Sequence, residues 1–212
     1  MTKRPDLLLG EDLLPPPRQK RSVEKHARIK TAGLAVFGEK GYERATVEEI
    51  ADRANVAVGG FYLQFRSKRQ LLIALMDDLL DALGHLEFRP QPSADMRGAI
   101  RTLLARAFEH DLRSLGAYRA WQEAILSDPA LARKQQRIHA WTTARVTAVF
   151  ELLRKVHGAR TTVDIPALAR VMDGFFWSLL ARAAKMRKAE LNQWIDAATH
   201  LIYHALFTDR RV

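Results

Sequence analysis

Residues 46–68 read TVEEIADRANVAVGGFYLQFRSK, and this pattern predicts two short helices joined by a tight turn. Thr46 and Glu49 form a capping-box pair, in which each side chain accepts a hydrogen bond from the other residue's backbone N–H. Asn55 lies where the first helix must end, and asparagine tolerates the left-handed backbone of a sharp turn. The apolar face of the first helix consists of residues at helical spacing: Val47, Ile50, Ala51 and Ala54.

The second helix of this stretch carries two inward-facing aromatic residues. Phe61 and Phe65 stand four residues apart, so they lie on one side of a helix. Ser67 is placed to cap a further helix that begins at Lys68. Two helices joined by a tight turn are typical of the helix-turn-helix, whose second helix enters the major groove of DNA. A generic helical hairpin is the alternative interpretation.

Residues 29–71 resemble the DNA-binding domain of the TetR/AcrR family of bacterial transcriptional regulators. The resemblance is carried by Ile29, Ala32, Phe37, Gly41, Tyr42, Thr46, Ile50, Ala51, Val56, Gly59, Tyr62, Phe65, Ser67, Lys68 and Leu71. It implies an N-terminal three-helix DNA reader followed by a helical body that binds a ligand and forms a dimer. Beyond residue 71 the chain matches the family in length and helical texture alone.

The composition is that of a globular protein with a basic balance. The 212 residues are 48% hydrophobic and 27% charged, with a net charge of +10, which suits a polyanionic partner such as nucleic acid. The absence of cysteine excludes disulfides, thiol redox sensing and thiolate metal sites. Apolar runs are far shorter than the ~18 residues of a membrane span, and the leucines at 7–9 are too few for a signal peptide. We therefore expect a cytoplasmic protein.

The predicted domain organisation has three parts. Residues 1–21 form a flexible N-terminal extension, 22–67 the helix-turn-helix domain, and 68–212 the ligand-binding and dimerisation domain. Prolines 15–17 favour an extended segment. The extension is interpreted as a mobile tail, with two alternatives: an arm that follows DNA phosphates, or leucines that fold back on the body. It leads into a basic cluster formed by Arg18, Lys20, Arg21, Lys25, Arg28 and Lys30.

The fold is predicted to be all-α, with about nine helices. The helices are recognised by apolar residues at helical spacing, by proline or glycine where a helix ends, and by Asp-Pro where one begins. They are predicted at about 22–39, 46–54, 58–65, 68–84, 93–111, 114–127, 129–157, 166–187 and 189–207. Gly41 is expected to end the first helix with a positive φ. Pro90 and Pro92 predict a break between the fourth and fifth helices.

The DNA contacts are predicted from the helix-turn-helix. Lys68 and Thr46 lie at helix N-termini, where phosphates bind, and Tyr62 points outward; the resemblance implies phosphate contacts for the same three. The paired Gly59 and Gly60 indicate either close approach to a phosphate or simple steric tolerance. Base readers are Gln64, which can pair with adenine, and Val58 or Leu63, which can touch a thymine methyl group. Arg44 is a further candidate phosphate contact. The sequence departs from the family pattern at Ala57, Val58, Gly60, Leu63 and Gln64.

The resemblance implies an effector pocket and a dimer interface in the body. The candidate ligand-binding residues are aromatic or can orient a ligand: Phe108, Tyr118, Trp121, Trp141, Phe176 and His139. The alternative is the more common role of such residues: aromatic side chains usually belong to the core, and a lone histidine is usually structural or exposed. The wide apolar faces of the last two helices predict a homodimer, with interface residues Phe175, Leu179, Trp194, Leu201 and Ile202.

Three functions are compatible with this sequence. The leading hypothesis is a repressor that binds a palindromic operator as a homodimer and is released by a small apolar or aromatic effector. The alternatives are a ligand-independent DNA-binding protein and a helical enzyme. No nucleophile elbow, Walker loop or paired-carboxylate signature is found, so no enzyme, catalytic residue or cofactor is expected. His200 and His204 have a spacing that can bind a metal, but no carboxylate lies between them, and no metal is expected.

Overall fold

The computed structural model describes residues 3–86, 95–112, 114–183 and 186–207. This part of the chain is helical and contains no strand, only an isolated bridge between Ala159 and Phe207. Its nine helices are α1 (Lys20–Arg44), α2 (Val47–Arg53), α3 (Val58–Tyr62), α4 (Lys68–Gly84), α5 (Met96–Leu112), α6 (Leu115–Ser127), α7 (Pro129–Arg154), α8 (Ile165–Ala183) and α9 (Lys188–Leu206). The predicted all-α class is confirmed. The predicted break at Pro90 and Pro92 lies outside the described residues.

Short-range hydrogen bonds and backbone conformations explain where α1 ends and where α2 begins and ends. The Thr46 hydroxyl accepts from the Glu49 N–H at 3.2 Å, and the Glu49 carboxylate accepts from the Thr46 N–H at 3.3 Å, which confirms the capping box. Asn55 has a φ of 52°, as the sharp turn requires. Gly41 has a positive φ of 78°, as predicted, and its ψ of −176° is also non-helical, so the segment kinks there before its last residues, which end at Arg44.

The chain forms two compact units. The reader unit consists of residues 5–82 and 114–136, and thus contains α1 to α3, most of α4, α6 and the first turns of α7. The body unit consists of residues 83–86, 95–112, 137–183 and 186–207, together with residues 3 and 4. The predicted boundary at residue 68 lies where the sequence motif ends. The units are defined by packing, so the reader unit also includes most of α4 and all of α6.

The reader unit has a continuous apolar core. Phe37, Phe61 and Ile29 are fully buried in it, as are Leu71 and Leu72 of α4. Helices α1 and α6 pack very closely, because the Gly116 Cα lies 3.4 Å from the position that a Cβ of Gly38 would occupy. Burial of this kind contributes ~1.5–3 kcal/mol for each large apolar side chain.

The N-terminal arm, residues 5–12, belongs to the reader unit. The Leu7 side chain is fully buried, and the Leu7 N–H donates to Asp77 Oδ1 of α4 at 3.2 Å. The Lys134 ammonium group donates to the Leu7 carbonyl at 2.6 Å. The structure thus corrects the expectation of a flexible extension at these residues and favours the alternative in which the leucines fold back. Leu9 is two-thirds exposed and does not share this burial.

The body unit has its own core, formed by α5, α8, α9 and the second half of α7. Its buried residues include Ile100, Leu104, Phe108, Phe150, Leu153, Met172, Leu179, Ile195 and Ile202. The end of α4 is capped in this unit by Arg145, whose Nη2 donates to the carbonyls of Leu83 and Leu86 at 2.9 and 2.8 Å. In the described residues, no helix has the length and apolar character needed to cross a membrane.

Candidate nucleic-acid interface

Helix α3 presents an exposed apolar tip. Leu63 is 73% exposed, Tyr62 48% and Val58 37%, although all three are large apolar or aromatic side chains. The inward side of the same segment is fixed by Phe61 and Phe65, whose rings lie 5.9 Å apart in the core. Exposed apolar side chains that cluster along one short helix indicate a surface that contacts a partner.

The two glycines of α3 have different surroundings. A Cβ at Gly59 would meet no protein atom within 4 Å, whereas one at Gly60 would lie 3.7 Å from Val56 Cβ and 3.8 Å from Lys25 Nζ. Packing within the protein therefore does not require glycine at position 59. Ala57, the residue before α3, provides no side-chain cap, so the first N–H groups of the helix are available to an external acceptor.

Gln64 does not face outward as predicted. Its Nε2 donates to Ser22 Oγ at 3.0 Å, and its Oε1 lies 3.2 Å from His26 Nδ1. The His26 ring in turn stacks on Phe65, with centroids 4.5 Å apart. Gln64 therefore connects the end of α3 to the start of α1 in the free protein. Its contact with a base stays a prediction. The helix ends at Tyr62, so the helical geometry that aimed Gln64 at a base does not extend to it.

Lys68 also has internal partners in place of the predicted phosphate. Its Nζ donates to the carbonyls of Tyr42, Glu43 and Ala45 at 2.8, 3.2 and 3.0 Å, and lies 4.6 Å from the centre of the Tyr42 ring. These carbonyls end α1, where a positive charge is favoured by the helix dipole. All three N–H donors of Lys68 thus have partners within the protein, and the side chain holds the end of α1. Its contact with a DNA phosphate stays a prediction.

The remaining predicted contacts lie on the surface. Thr46 is exposed, with its hydroxyl in the capping box, and Arg44 is exposed, with its Nε donating to the Lys40 carbonyl at 3.1 Å. Arg53, near the end of α2, pairs with Glu39 at 2.5 Å. Hydrogen bonding to this guanidinium, against a smaller opposing effect of burial, lowers the pKa of Glu39.

The basic cluster before the helix-turn-helix is only partly neutralised. Lys30 pairs with Asp78 at 2.7 Å. Arg18, Lys20, Arg21 and Arg28 are exposed, and Lys25 approaches Gly60 of α3. The cluster leaves several cationic side chains beside the exposed tip, an arrangement that suits a phosphate backbone.

Sequence reasoning missed the role of Glu123 on α6. Its carboxylate accepts from the Tyr42 N–H at 2.7 Å, directly after the positive-φ Gly41, and a Cβ at Gly41 would lie 2.2 Å from the same carboxylate. Arg119, one turn earlier, donates to the Gly38 carbonyl at 3.0 Å. Helix α6 therefore holds the end of α1. No local pattern around Glu123 indicates this contact, because its partners lie about 80 residues away.

The six ligand-binding candidates are divided between the two units. Tyr118 and Trp121 are buried in the reader unit, where Trp121 Nε1 donates to Gln135 Oε1 at 2.7 Å. The body unit brings Phe108 and Phe176 together, with ring centroids 5.7 Å apart. Trp141 is buried in the body unit as well.

His139 belongs to a polar cluster in the body unit, which is formed by His139 and Thr143 of α7 and Asp173 of α8. Its Nδ1 is 3.4 Å from Asp173 Oδ2, and its ring meets the edge of Trp177 at 5.3 Å between centroids. Asp173 is 6% exposed and also accepts from the Thr143 hydroxyl at 3.1 Å. Sequence reasoning did not single out Asp173, since one acidic residue on an apolar helix has no distinctive spacing.

The candidate dimer residues separate into core and surface. Leu179 and Ile202 are 1% and 2% exposed, so they belong to the core of the body unit and are corrected as interface residues. Phe175 and Trp194 stack with centroids 5.9 Å apart and are partly buried. Leu201 is 57% exposed. A surface stripe of exposed, mostly small residues follows α8 at helical spacing: Val171, Gly174, Ser178 and Ala181.

The rings of His200 and His204 on α9 lie close together, with centroids 4.1 Å apart and planes tilted by 56°. Within the described ranges, no group of three or more histidine, cysteine, aspartate or glutamate side chains is arranged to hold a metal.

Comparison with known proteins gives the family. The model of the tetR family of bacterial regulatory proteins matches residues 29–75, the region of α1 to α4 that carries the exposed tip. The transcriptional repressor KstR of Mycobacterium tuberculosis is 30% identical over 187 residues, which are 84% of this chain and 80% of KstR. The chain belongs to the tetR family.

Other members of the tetR family match over different lengths. The transcriptional activator FasR of Mycolicibacterium smegmatis is 29% identical over 64% of this chain, and the chain spans 61% of its length, less than two thirds. SmeT, the repressor of the Stenotrophomonas maltophilia multidrug efflux pump SmeDEF, has the same fold, with a TM-score of 0.65 at 19% identity over 88% of this chain and 94% of SmeT. SmeT has also been solved as a complex with triclosan.

Proposed function

We propose that the protein is a transcriptional repressor that binds a palindromic DNA operator in the cytoplasm as a homodimer and is released by a small apolar or aromatic effector. The observation that carries the proposal is the exposed apolar tip of α3, formed by Val58, Tyr62 and Leu63, in a chain of the tetR family. A helix of this kind in the major groove reads base edges with its exposed side chains.

The contacts to DNA divide into positioning and reading. Tyr62 and the uncapped N–H groups at the start of α3 bind phosphates, with Thr46 and Arg44 beside them. Val58 and Leu63 touch thymine methyl groups in the groove. Gln64 and Lys68 act through the protein, because their polar groups hold α1. Specificity thus depends on apolar contacts more than on bidentate hydrogen bonds.

Two variants test this division. Tyr62→Phe removes one phosphate donor, so we expect it to weaken binding to operator and to random DNA by similar factors. Leu63→Ala should cost the operator ~1–2 kcal/mol, the apolar burial lost with part of the side chain at ~0.8 kcal/mol per CH2 group, and random DNA little. Fluorescence anisotropy on labelled duplexes measures both. Equal losses of affinity on both DNAs for Leu63→Ala would contradict the assignment of Leu63 as a base reader.

The dimer forms through the exposed faces of α8 and α9. Val171 and Leu201 are 68% and 57% exposed, and Gly174 and Ser178 allow another helix to approach closely. A homodimer supplies two readers, which a palindromic operator requires.

The effector is bound by the body unit, where Phe108, Phe176 and Trp141 offer apolar contacts and Asp173 with His139 offers polar ones. Triclosan, the ligand in the SmeT complex, is a suitable first probe in a screen of apolar and aromatic compounds. An effector should loosen operator binding by the same factor by which operator DNA loosens effector binding, because linkage is reciprocal. If ligands bind without changing operator affinity, the protein is a ligand-independent DNA-binding protein.

A further inference from the structure

The N-terminal arm is attached to the first turns of two helices. The Lys134 ammonium group of α7 contacts three oxygens of the arm: the carbonyls of Leu7 and Leu9 at 2.6 and 3.3 Å, and Glu11 Oε1 at 3.2 Å. Lys134 is 7% exposed. A buried ammonium group is stable only with partners of this kind, so the arm and Lys134 depend on each other.

Glu11 connects this contact to α4. Its carboxylate has a side-chain exposure of 11% and bonds Arg69 Nη1 at 2.6 Å. Arg69 Nε bonds Asp128 Oδ2 at 2.6 Å, and Asp128 Oδ1 caps α7 through the N–H groups of Ala130 and Leu131 at 2.8 and 3.1 Å. Although burial opposes it, the hydrogen bond from Arg69 lowers the pKa of Asp128. Four charged side chains are thus connected in series: Lys134 of α7, Glu11 of the arm, Arg69 of α4, and Asp128, which caps α7.

The same turn of α4 also holds the DNA reader. Lys68, which precedes Arg69, binds the carbonyls that end α1. Gln70, which follows, donates to the Asp12 carbonyl and accepts from the Arg66 N–H at 2.9 Å. Lys68 thus binds the end of α1, and Gln70 binds the arm. Arg69, between them, binds both the arm and the Asp128 cap of α7. A displacement of the arm changes the surroundings of the residue that fixes α1.

We infer that residues 5–12 are a strap that positions the reader and thereby sets the ratio of operator affinity to random-DNA affinity. The inference rests on the proposed function. A reader with a loosened first turn of α4 keeps its positive charge and its attraction to any DNA, but no longer holds α3 in one place. The strap is thus a set of positioning residues, although it does not touch DNA.

The decisive variant is Glu11→Gln, which preserves the shape of the side chain and removes the charge shared by Arg69 and Lys134. Asp12→Asn is the matched control, since it changes the net charge equally at the neighbouring position, where the Asp12 carboxylate is 80% exposed and pairs with Arg66 at 3.2 Å. Leu7→Asn and Leu9→Asn form a second pair, because Leu7 is fully buried and Leu9 is 67% exposed.

Anisotropy titrations with operator and random duplexes, made at a temperature where near-UV circular dichroism shows every variant folded, give the affinity ratio. We expect Glu11→Gln and Leu7→Asn to lower it about 2- to 30-fold, the range found for substitutions that act on a site from a distance. Asp12→Asn and Leu9→Asn should leave the ratio within about twofold of the original. If Leu7→Asn does not fold, Glu11→Gln alone decides.

Three results would overturn the inference. An unchanged affinity ratio in Glu11→Gln, even with a lower melting temperature, would show that the arm only stabilises the fold, while the proposed function would stand. A protein of natural sequence that prefers no operator over random DNA would remove the proposed function and the strap's role with it. A reduced ratio in both controls as well as in both test variants would also contradict a specific role for the strap.

Discussion

Gly59→Ala separates the stability of the reader from its approach to DNA. A Cβ at this position meets no protein atom within 4 Å, so the substitution causes no clash in the free protein. Alanine is favoured over glycine in a helix by ~1 kcal/mol. We therefore expect a melting temperature that rises by ~2–4 °C, the shift that 1 kcal/mol produces in a domain of this size.

The same methyl group should weaken DNA binding. A phosphate oxygen that accepts from an N–H lies ~2.7–3.2 Å from the nitrogen, whereas a methyl group keeps its neighbours at ~3.5–4.0 Å. If the backbone at Gly59 approaches a phosphate, the substitution disrupts a hydrogen bond to a charged group, worth ~1.5–3 kcal/mol. Operator affinity should then fall about 10- to 150-fold.

Gly60→Ala is the control for this experiment. Its Cβ would lie 3.7 Å from Val56 Cβ and 3.8 Å from Lys25 Nζ, at ordinary contact distance inside the protein. We expect the operator affinity of this variant to stay within about threefold of that of the natural sequence, because the added methyl group faces the protein and substitutions without a clash usually have small effects. Thermal unfolding followed by circular dichroism and operator titration by anisotropy give the two quantities. Unchanged operator affinity in Gly59→Ala would refute close approach and leave steric tolerance as the reason for the glycine.

Three further predictions concern packing, pH and assembly. Gly116→Ala places a Cβ 2.0 Å from the Leu34 carbonyl oxygen, so it should lower the free energy of unfolding by ~1–3 kcal/mol or more in denaturant titrations. Burial, followed by the charge of Lys30, lowers the pKa of His26 below its ordinary 6.5 despite the Gln64 hydrogen bond. Because the unfolded chain then binds the proton more readily, the free energy of unfolding should fall as pH drops from about 6.5 through the lower pKa of the folded state. The fall should be smaller in His26→Asn, which has no imidazole to protonate. Leu201→Glu should give a folded monomer in sedimentation, because this side chain is 57% exposed in the protomer; a dimer of unchanged stability would exclude this face.

The helices of this protein are predictable because their signals are local. The capping box of Thr46, the left-handed Asn55 and the Pro129 start each act within one turn of backbone, and the structure contains all three. Apolar residues at helical spacing likewise predict that Phe61 and Phe65 are buried.

The functions of the polar residues around the reader depend on distant partners. Lys68 looks like a phosphate ligand from its place at a helix N-terminus, but the carbonyls that it binds lie 23 to 26 residues earlier. Gln64 follows a helix that ends one turn earlier than its spacing indicates, and it bonds to Ser22, 42 residues away. Leu7 is held in place by Lys134, which donates to its carbonyl, and by Asp77, which accepts from its N–H. A one-dimensional pattern contains no sign of these pairings.

The most direct test of DNA reading by α3 is selection of duplexes from a random library by the purified protein, followed by sequencing of the bound fragments. We expect enrichment of an inverted repeat, with half-sites about 10 base pairs apart or a multiple of that distance. The affinity for this repeat should fall with salt, by a log–log slope of about −0.9 per phosphate contact. The enriched half-site should change when Leu63 is replaced by alanine. Recovery of no preferred sequence, or of one whose affinity stays flat as salt rises, would contradict the central claim.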